Sequence, residues 1–296
     1  MGYHLWTSPI TGYRRKGTRL AELHALLGGG ITAHAVVEPL KSCPADAGAA
    51  EMAHVLREKD FDVAGVQSRP HGPVIGFVAT DELQEGLVRD HVQPLTAEHL
   101  ASDATPLRSL LSILKGKEHV FVLVGSNVRG IVTRADLNKP PVRVYLFGLI
   151  SLLEMHLGFW ARDAYPNEGW RKKLVPARLK KAEKLQRDRT SRKQDTTLFE
   201  CLQFCDKRDL VLARNQLRER LRLGSVEKAR TMLERAENLR NLLAHSQKDL
   251  THGSSWEETI DLVEWVEATV QKSDSIVEKK ARRSARGAPD PLWGSA

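Results

Sequence analysis

The first 140 residues carry one order of elements twice, and this repetition limits the possible folds more than any other property of the chain. In the second copy Thr105 is placed to cap a helix whose first position is Pro106, and Leu107, Leu110, Leu111 and Leu114 give that helix one apolar stripe. A strand over 119–124 follows, then Gly125-Ser126-Asn127 as a turn, a short strand Gly130-Ile131-Val132, and Thr133-Arg134-Ala135-Asp136-Leu137. Upstream the same order runs through a helix over about 45–59, a strand over 62–66, a Pro/Gly loop to Pro73, a strand over 74–78 and Thr80-Asp81-Glu82-Leu83. Gly76 answers Gly130, and Leu83 answers Leu137. β-Branched runs alternating with short amphipathic helices predict an α/β or α+β arrangement for this part.

The pair resembles a tandem of cystathionine-β-synthase (CBS) domains over roughly 31–139, after an N-terminal extension of residues 1–30. The CBS end pattern is Gly, two apolar residues, Ser or Thr, two residues, then Asp, and Gly130, Thr133 and Asp136 match it. The resemblance implies βαββα-type repeats, with Thr133 and Asp136 holding an adenine nucleotide in the cleft between them as a regulatory ligand. The first copy departs from the pattern, with Ala79 in place of Thr and Glu82 in place of Asp, so one nucleotide site at most is expected. Read without the family, Thr133 opens a helix and Asp136 sits near its positive end, an arrangement that needs no ligand.

After Lys139-Pro140-Pro141 the pattern turns helical. Residues 142–164 predict a long helix buried around much of its circumference, interrupted by Glu154 and His156, of which Glu154 is either solvated or an orienting group for a catalytic residue. Residues 166–195 form a basic insertion in which Trp170, Arg171, Lys172, Lys173, Lys180 and Lys181 are candidates for RNA contact, the lysines and arginine on phosphates and Trp170 on a base. The other reading of such a run is an exposed helix or loop. Further helices are predicted over about 197–205, 208–223 and 226–246. The last helix opens with the capping box Ser255-Trp256-Glu257-Glu258. Residues 276–296, basic and then rich in Gly, Pro and Ser, are expected to be a disordered tail.

The chemistry concentrates in Arg240-Asn241-Leu242-Leu243-Ala244-His245. Arg holds phosphate through a planar fork of donors, and His transfers protons near neutral pH. Near a helix end the same residues also serve as favourable C-terminal charges. Together with the helical setting of 140–275, Arg240, Asn241 and His245 resemble the motif of the HEPN superfamily, many of whose members are metal-independent endoribonucleases. The whole chain then reads as α+β, a tandem CBS sensor followed by an all-α HEPN-like bundle.

The resemblance implies cleavage of RNA by attack of the 2′-hydroxyl, with no metal and no catalytic cofactor. At about 100° per residue Arg240 and His245 lie about 140° apart around one helix, so a homodimer that joins two motif helices is expected to complete the site. An effector role in stress response, toxin activity or antiviral defence, with an antitoxin or inhibitor as a further partner, follows from the resemblance alone. The alternative is a non-catalytic dimeric nucleotide- or RNA-binding protein.

A net charge of +8 and a pI near 9.4 favour an anionic partner. No stretch reads as the roughly 20 apolar residues that span a bilayer, and a cytoplasmic protein without membrane contact is expected. Cys43, Cys201 and Cys205 read as buried thiols, since no second ligand pair accompanies Cys201 and Cys205.

Overall fold

The computed structural model describes residues 6–7, 15–16, 19–245, 249–251 and 253–285. They form two compact units: residues 26–143, and residues 144–296 joined by 1–25. The chain opens with two short antiparallel strands, β1 (Trp6–Thr7) and β2 (Arg15–Lys16), and the helix α1 (Leu20–Leu23).

In residues 26–143 each repeat is a three-stranded sheet with one helix. The first has β4 (Ser42–Pro44), α2 (Ala49–Glu58), β5 (Val63–Gln67) and β6 (Val74–Ala79). The second has β7 (Leu100–Ser102), α3 (Leu107–Lys115), β8 (His119–Val124) and β9 (Asn127–Thr133). The first strand of each repeat runs parallel to the second, and the second and third form an antiparallel hairpin.

The repeats exchange their leading segments. β3 (Glu38–Pro39), ahead of the first repeat, pairs with β9 of the second, and Gln93, ahead of the second repeat, bridges Phe77 of the first. Even single hydrogen bonds are duplicated: Ala33 N donates to Thr105 O at 2.8 Å, as Val88 N donates to Ala47 O at 2.9 Å. The paired glycines follow from this exchange. A Cβ on Gly76 would stand 2.6 Å from Gln93 O, and one on Gly130 would stand 2.2 Å from a Val37 methyl. Only glycine lets the exchanged segment lie this close. Between the sheets Phe77, Phe121 and Val128 form an apolar layer.

Several boundaries differ from the sequence reading. The helix expected from residue 45 starts at Ala49, because Ser42–Pro44 is drawn into the sheet as β4. Thr105 does not cap α3; Pro106 holds the N-cap position, and the Thr105 hydroxyl oxygen instead accepts from Ser102 N at 3.0 Å.

The other unit is helical. Its long central helix, α4 (Pro140–Ala164), starts within the last residues of the repeat unit. The basic insertion is ordered as a 3₁₀ turn, Gly169–Lys173, and the helix α5 (Pro176–Ser191). A second 3₁₀ turn, Leu198–Cys201, replaces the first predicted helix, and α6 (Phe204–Leu212) and α7 (Asn215–Leu221) divide the next. The breaks have local causes. Thr197 and Glu200 cap the turn reciprocally, Asp206 accepts from Gln203 N at 2.8 Å to start α6, and Arg222 and Gly224 at positive φ end α7. α8 (Val226–Ala244) follows, capped by Ser225, and then α9 (Trp256–Ala285).

Three expectations for this unit are corrected. Residues 276–285 are not a disordered tail but the end of α9, because the buried stripe Val263, Val266, Val270 and Ser273 continues to Val277, which is fully buried; residues 286–296 lie outside the described residues. The N-terminal extension is not a separate appendage: α1 packs on α9, with Leu20 and Leu23 buried and Leu20 N donating to Asp274 Oδ2 at 2.9 Å. Finally, α4 is long and apolar enough to cross a membrane by length and composition. More than half of its most apolar stretch is buried inside the protein, including Leu146, Leu149, Ile150, Leu153, Leu157 and Trp160, as in the core helix of a bundle.

Candidate functional site

α8 buries one stripe, Ala229, Leu233, Ala236, Leu239 and Leu243, and this fixes which way its last turns face. Arg240 and Asn241 fall outside the stripe, and the exposed His245 occupies the C-cap. Arg240 Nη1 donates to Asn241 Oδ1 at 3.2 Å, so the described contact of this amide is with the guanidinium.

Arg240 reaches α4. Its Nε lies 3.9 Å from Glu154 Oε2, and Lys207 Nζ from α6 donates to the other oxygen, Glu154 Oε1, at 2.7 Å. The Lys207 stem crosses α4 over Gly158. Two cations therefore share one carboxylate, with the Arg240 side chain 41 % exposed against 15 % for Lys207 and 20 % for Glu154. This leaves a positive charge facing solvent beside Arg240. Arg208, the next residue on α6, ties that helix to α8 through Glu237 at 3.0 Å and Glu234 at 3.5 Å.

The sequence reading had singled out Glu154 as a possible orienting group but missed Lys207. It lies 33 positions before Arg240, and nothing in its local pattern separates it from the chain's other lysines. The cations of Arg240 and Lys207 are suited to hold a phosphate, and an imidazole such as that of His245 is suited to move protons.

Of the proposed RNA contacts, Lys172, Lys173, Lys180 and Lys181 are exposed. Trp170 is not available to stack on a base. It is 3 % exposed, packed edge-on against Phe199 at 5.4 Å between centroids, with the guanidinium of Arg171 5.7 Å from its ring. Arg171 also pairs with Glu168 at 2.8 Å.

In the repeat unit the Asp136 side chain reaches back to Thr133, which opens its turn. Asp136 Oδ2 accepts from Thr133 N at 2.7 Å and from its hydroxyl at 3.0 Å, while Oδ1 lies 2.9 Å from Lys139 Nζ, which also binds Glu38. Asp136 is buried, and its carboxylate already has three partners. In the first repeat Thr80 stands one residue beyond the threonine position and donates to Phe61 O. Its Glu82 accepts from Gln93 Nε2.

A Ser, a His and an Asp also meet between α4 and α9: His156 Nδ1 lies 2.5 Å from Ser273 Oγ, and His156 Nε2 lies 3.3 Å from Asp274 Oδ1. Trp160 Nε1 donates to the same Ser273 oxygen at 2.6 Å. Ser273 is 1 % exposed, so no substrate reaches it, and the group acts as a buried clasp. Among the described residues no group of three or more His, Cys, Asp or Glu side chains is placed to hold a metal.

No protein-family model and no curated protein matches the chain. Several solved structures resemble part of the chain. One is an uncharacterized conserved protein from Pyrococcus horikoshii, at 18 % identity, covering 37 % of this chain and 90 % of that one, with a TM-score of 0.33. Another is CBSX2 in complex with AMP, at 17 % identity, covering 39 % and 98 %, with a TM-score of 0.34. A third is the CBS domain of a bacterial CNNM/CorC family Mg2+ transporter in complex with ATP, at 14 % identity, covering 42 % and 94 %, with a TM-score of 0.34.

Proposed function

We propose that the chain is a metal-independent endoribonuclease of the HEPN type, acting as a homodimer. The observation that carries this reading is the meeting of Lys207 and Arg240 on Glu154, beside the turn that ends in His245. A single carboxylate between two cations holds Arg240 in place without neutralising the pair, as required of a group that must meet a phosphate. In the reaction, His245 of one copy takes the proton of an RNA 2′-hydroxyl, and the freed oxygen attacks the adjacent phosphorus. Arg240 stabilises the charge gained by the phosphoryl oxygens, and the second copy's His245 protonates the departing 5′ oxygen. The products are a 2′,3′-cyclic phosphate and a 5′-hydroxyl, and DNA is inert.

For the repeat unit we propose an adenine nucleotide as regulatory ligand, on the Gly130, Thr133 and Asp136 pattern. With three partners in place, Asp136 can accept one more hydrogen bond, on Oδ1 beside Lys139. Control of cleavage requires the ligand to bind two states of the protein with different affinity.

The test is incubation of end-labelled RNA with the pure protein in excess chelator, followed by end-group determination and comparison with His245→Ala. Cyclic phosphate ends that vanish in the variant are expected. Intact RNA, or cleavage that survives the substitution, refutes the reading and leaves the non-catalytic nucleotide- or RNA-binding protein.

A further inference from the structure

Beside the Lys207 cluster, α5 and the segment leading into α6 enclose a cleft of about 250 Å³ that no part of the mechanism uses. Its apolar wall is Ala182, Leu185 and Cys201. Its far side is fixed by Arg178, whose guanidinium donates to Asp206 Oδ1 at 2.7 Å, to Gln203 Oε1 at 3.0 Å and to the Cys205 sulfur at 2.5 Å. The Arg178–Asp206 hydrogen bond strengthens the hold of that guanidinium on its proton, and burial pushes the Cys205 thiol up, so this wall is a paired cation beside a neutral thiol. The rim carries Lys181, Lys184 and Asp188, all exposed. Lys184 has no ion-pair partner among the described residues, and Lys181 makes only a 3.5 Å contact with Gln203.

We propose that this cleft takes one unstacked base of single-stranded RNA, with Lys181 and Lys184 on the flanking phosphates. The proposal rests on the ribonuclease reading and adds a substrate subsite to it. A slot with an apolar wall, a hydrogen-bonded polar wall and exposed cations at its mouth matches the parts of a nucleotide in that order. A paired base cannot enter without leaving its stack, which selects single strands. Position supports the assignment as well. Asp206 faces the cleft and Lys207 faces Glu154, so consecutive residues of the first turn of α6 serve both places, about one helix diameter, roughly 10 Å, apart.

The experiment measures binding without cleavage. Full-length His245→Ala is titrated by fluorescence anisotropy against a fluorescein-labelled single-stranded RNA of mixed sequence, against the same backbone lacking its bases, and at several salt concentrations. Lys181→Ala with Lys184→Ala is expected to weaken binding of the intact RNA at least tenfold and to reduce the salt slope by about 1.4, the value for two lost phosphate contacts on a single strand. Lys41→Ala with Lys59→Ala, an equal loss of charge from exposed lysines of the repeat unit, is expected to weaken it less than threefold. The base-free strand should bind the unaltered cleft as weakly as intact RNA binds the Lys181/Lys184 variant. Equal losses from both lysine pairs, undiminished binding of the base-free strand, or no RNA binding at all overturns the proposal. Cleft-dependent binding by a wild-type protein that cuts no RNA removes the ribonuclease reading and leaves the subsite standing.

Discussion

Glu154→Gln tests the candidate site most directly, because it removes the charge between Lys207 and Arg240 and keeps the side chain's shape. At an effective dielectric of about 20 the gross attraction is about 6 kcal/mol for Lys207 at 2.7 Å and about 4 kcal/mol for Arg240 at 3.9 Å. Desolvation and side-chain ordering offset most of both. The Lys207 pair, mostly shielded from water, should keep about 1–2 kcal/mol of coupling, whereas Arg240, 41 % exposed, should keep about 0.5 kcal/mol or less. Double-mutant cycles with Lys207→Met and Arg240→Met separate the two terms.

The readout is urea unfolding followed by tryptophan fluorescence, which reports on the helical unit alone because none of the six tryptophans lies within residues 26–143. On the ribonuclease reading, Glu154→Gln also tightens RNA binding by freeing positive charge, while cleavage falls about twofold, the factor that about 0.5 kcal/mol of lost Arg240 positioning corresponds to. Equal coupling energies for the two pairs, or a Lys207 coupling near zero, would refute the assigned geometry. Unchanged cleavage would refute the positioning role of Glu154.

Gly76→Ala brings a methyl within 2.6 Å of Gln93 O and 2.3 Å of Val92, next to the paired Phe77–Gln93 hydrogen bonds, so the repeat unit should lose about 3 kcal/mol and the amides of Phe77 and Gln93 should exchange faster. Trp170→Ala should cost the helical unit about 3–5 kcal/mol in thermal or urea unfolding, while RNA affinity at temperatures where the variant stays folded should not change. Val277→Ala should cost about 2 kcal/mol in the same assays, a loss that a disordered tail would not produce. Burial lowers the pKa of His119, helped by the nearby His99 and Lys117. Below about pH 6.5 the unfolded chain takes up a proton that the folded repeat unit resists, so stability should fall as pH drops from about 6.5 toward the lowered value. His119→Gln should flatten that slope in pH-dependent unfolding followed by circular dichroism.

The two repeats were legible because each is built from signals a few residues long: the leucine stripe of α3, the Gly-Ser-Asn turn and the glycines at positions 76 and 130. Their exchanged leaders were not, since the pairing of β3 with β9 joins residues more than 90 positions apart and neither strand's own pattern names its partner. In the candidate site the sequence marked Arg240, Asn241 and His245 by spacing within one helix. It could not mark Lys207, whose role comes from the packing of α4, α6 and α8 against one another. Trp170 shows the opposite failure. Surrounded by basic residues it looked like a surface ring, but its indole had more to gain from Phe199 in the core than from water.

The sequence by itself therefore determined the order and type of most elements, the duplication, and the helix end that carries Arg240 and His245, because periodicity, capping and turn chemistry act over one or two turns. Only the tertiary structure decided that Glu154 lies between two cations, that α9 continues past residue 275 on Val277, that α1 docks on Asp274, and that a cleft lies beside the first turn of α6. Each of these depends on burial and charge pairing between segments far apart in the chain, and their energy exists only once both segments are in place.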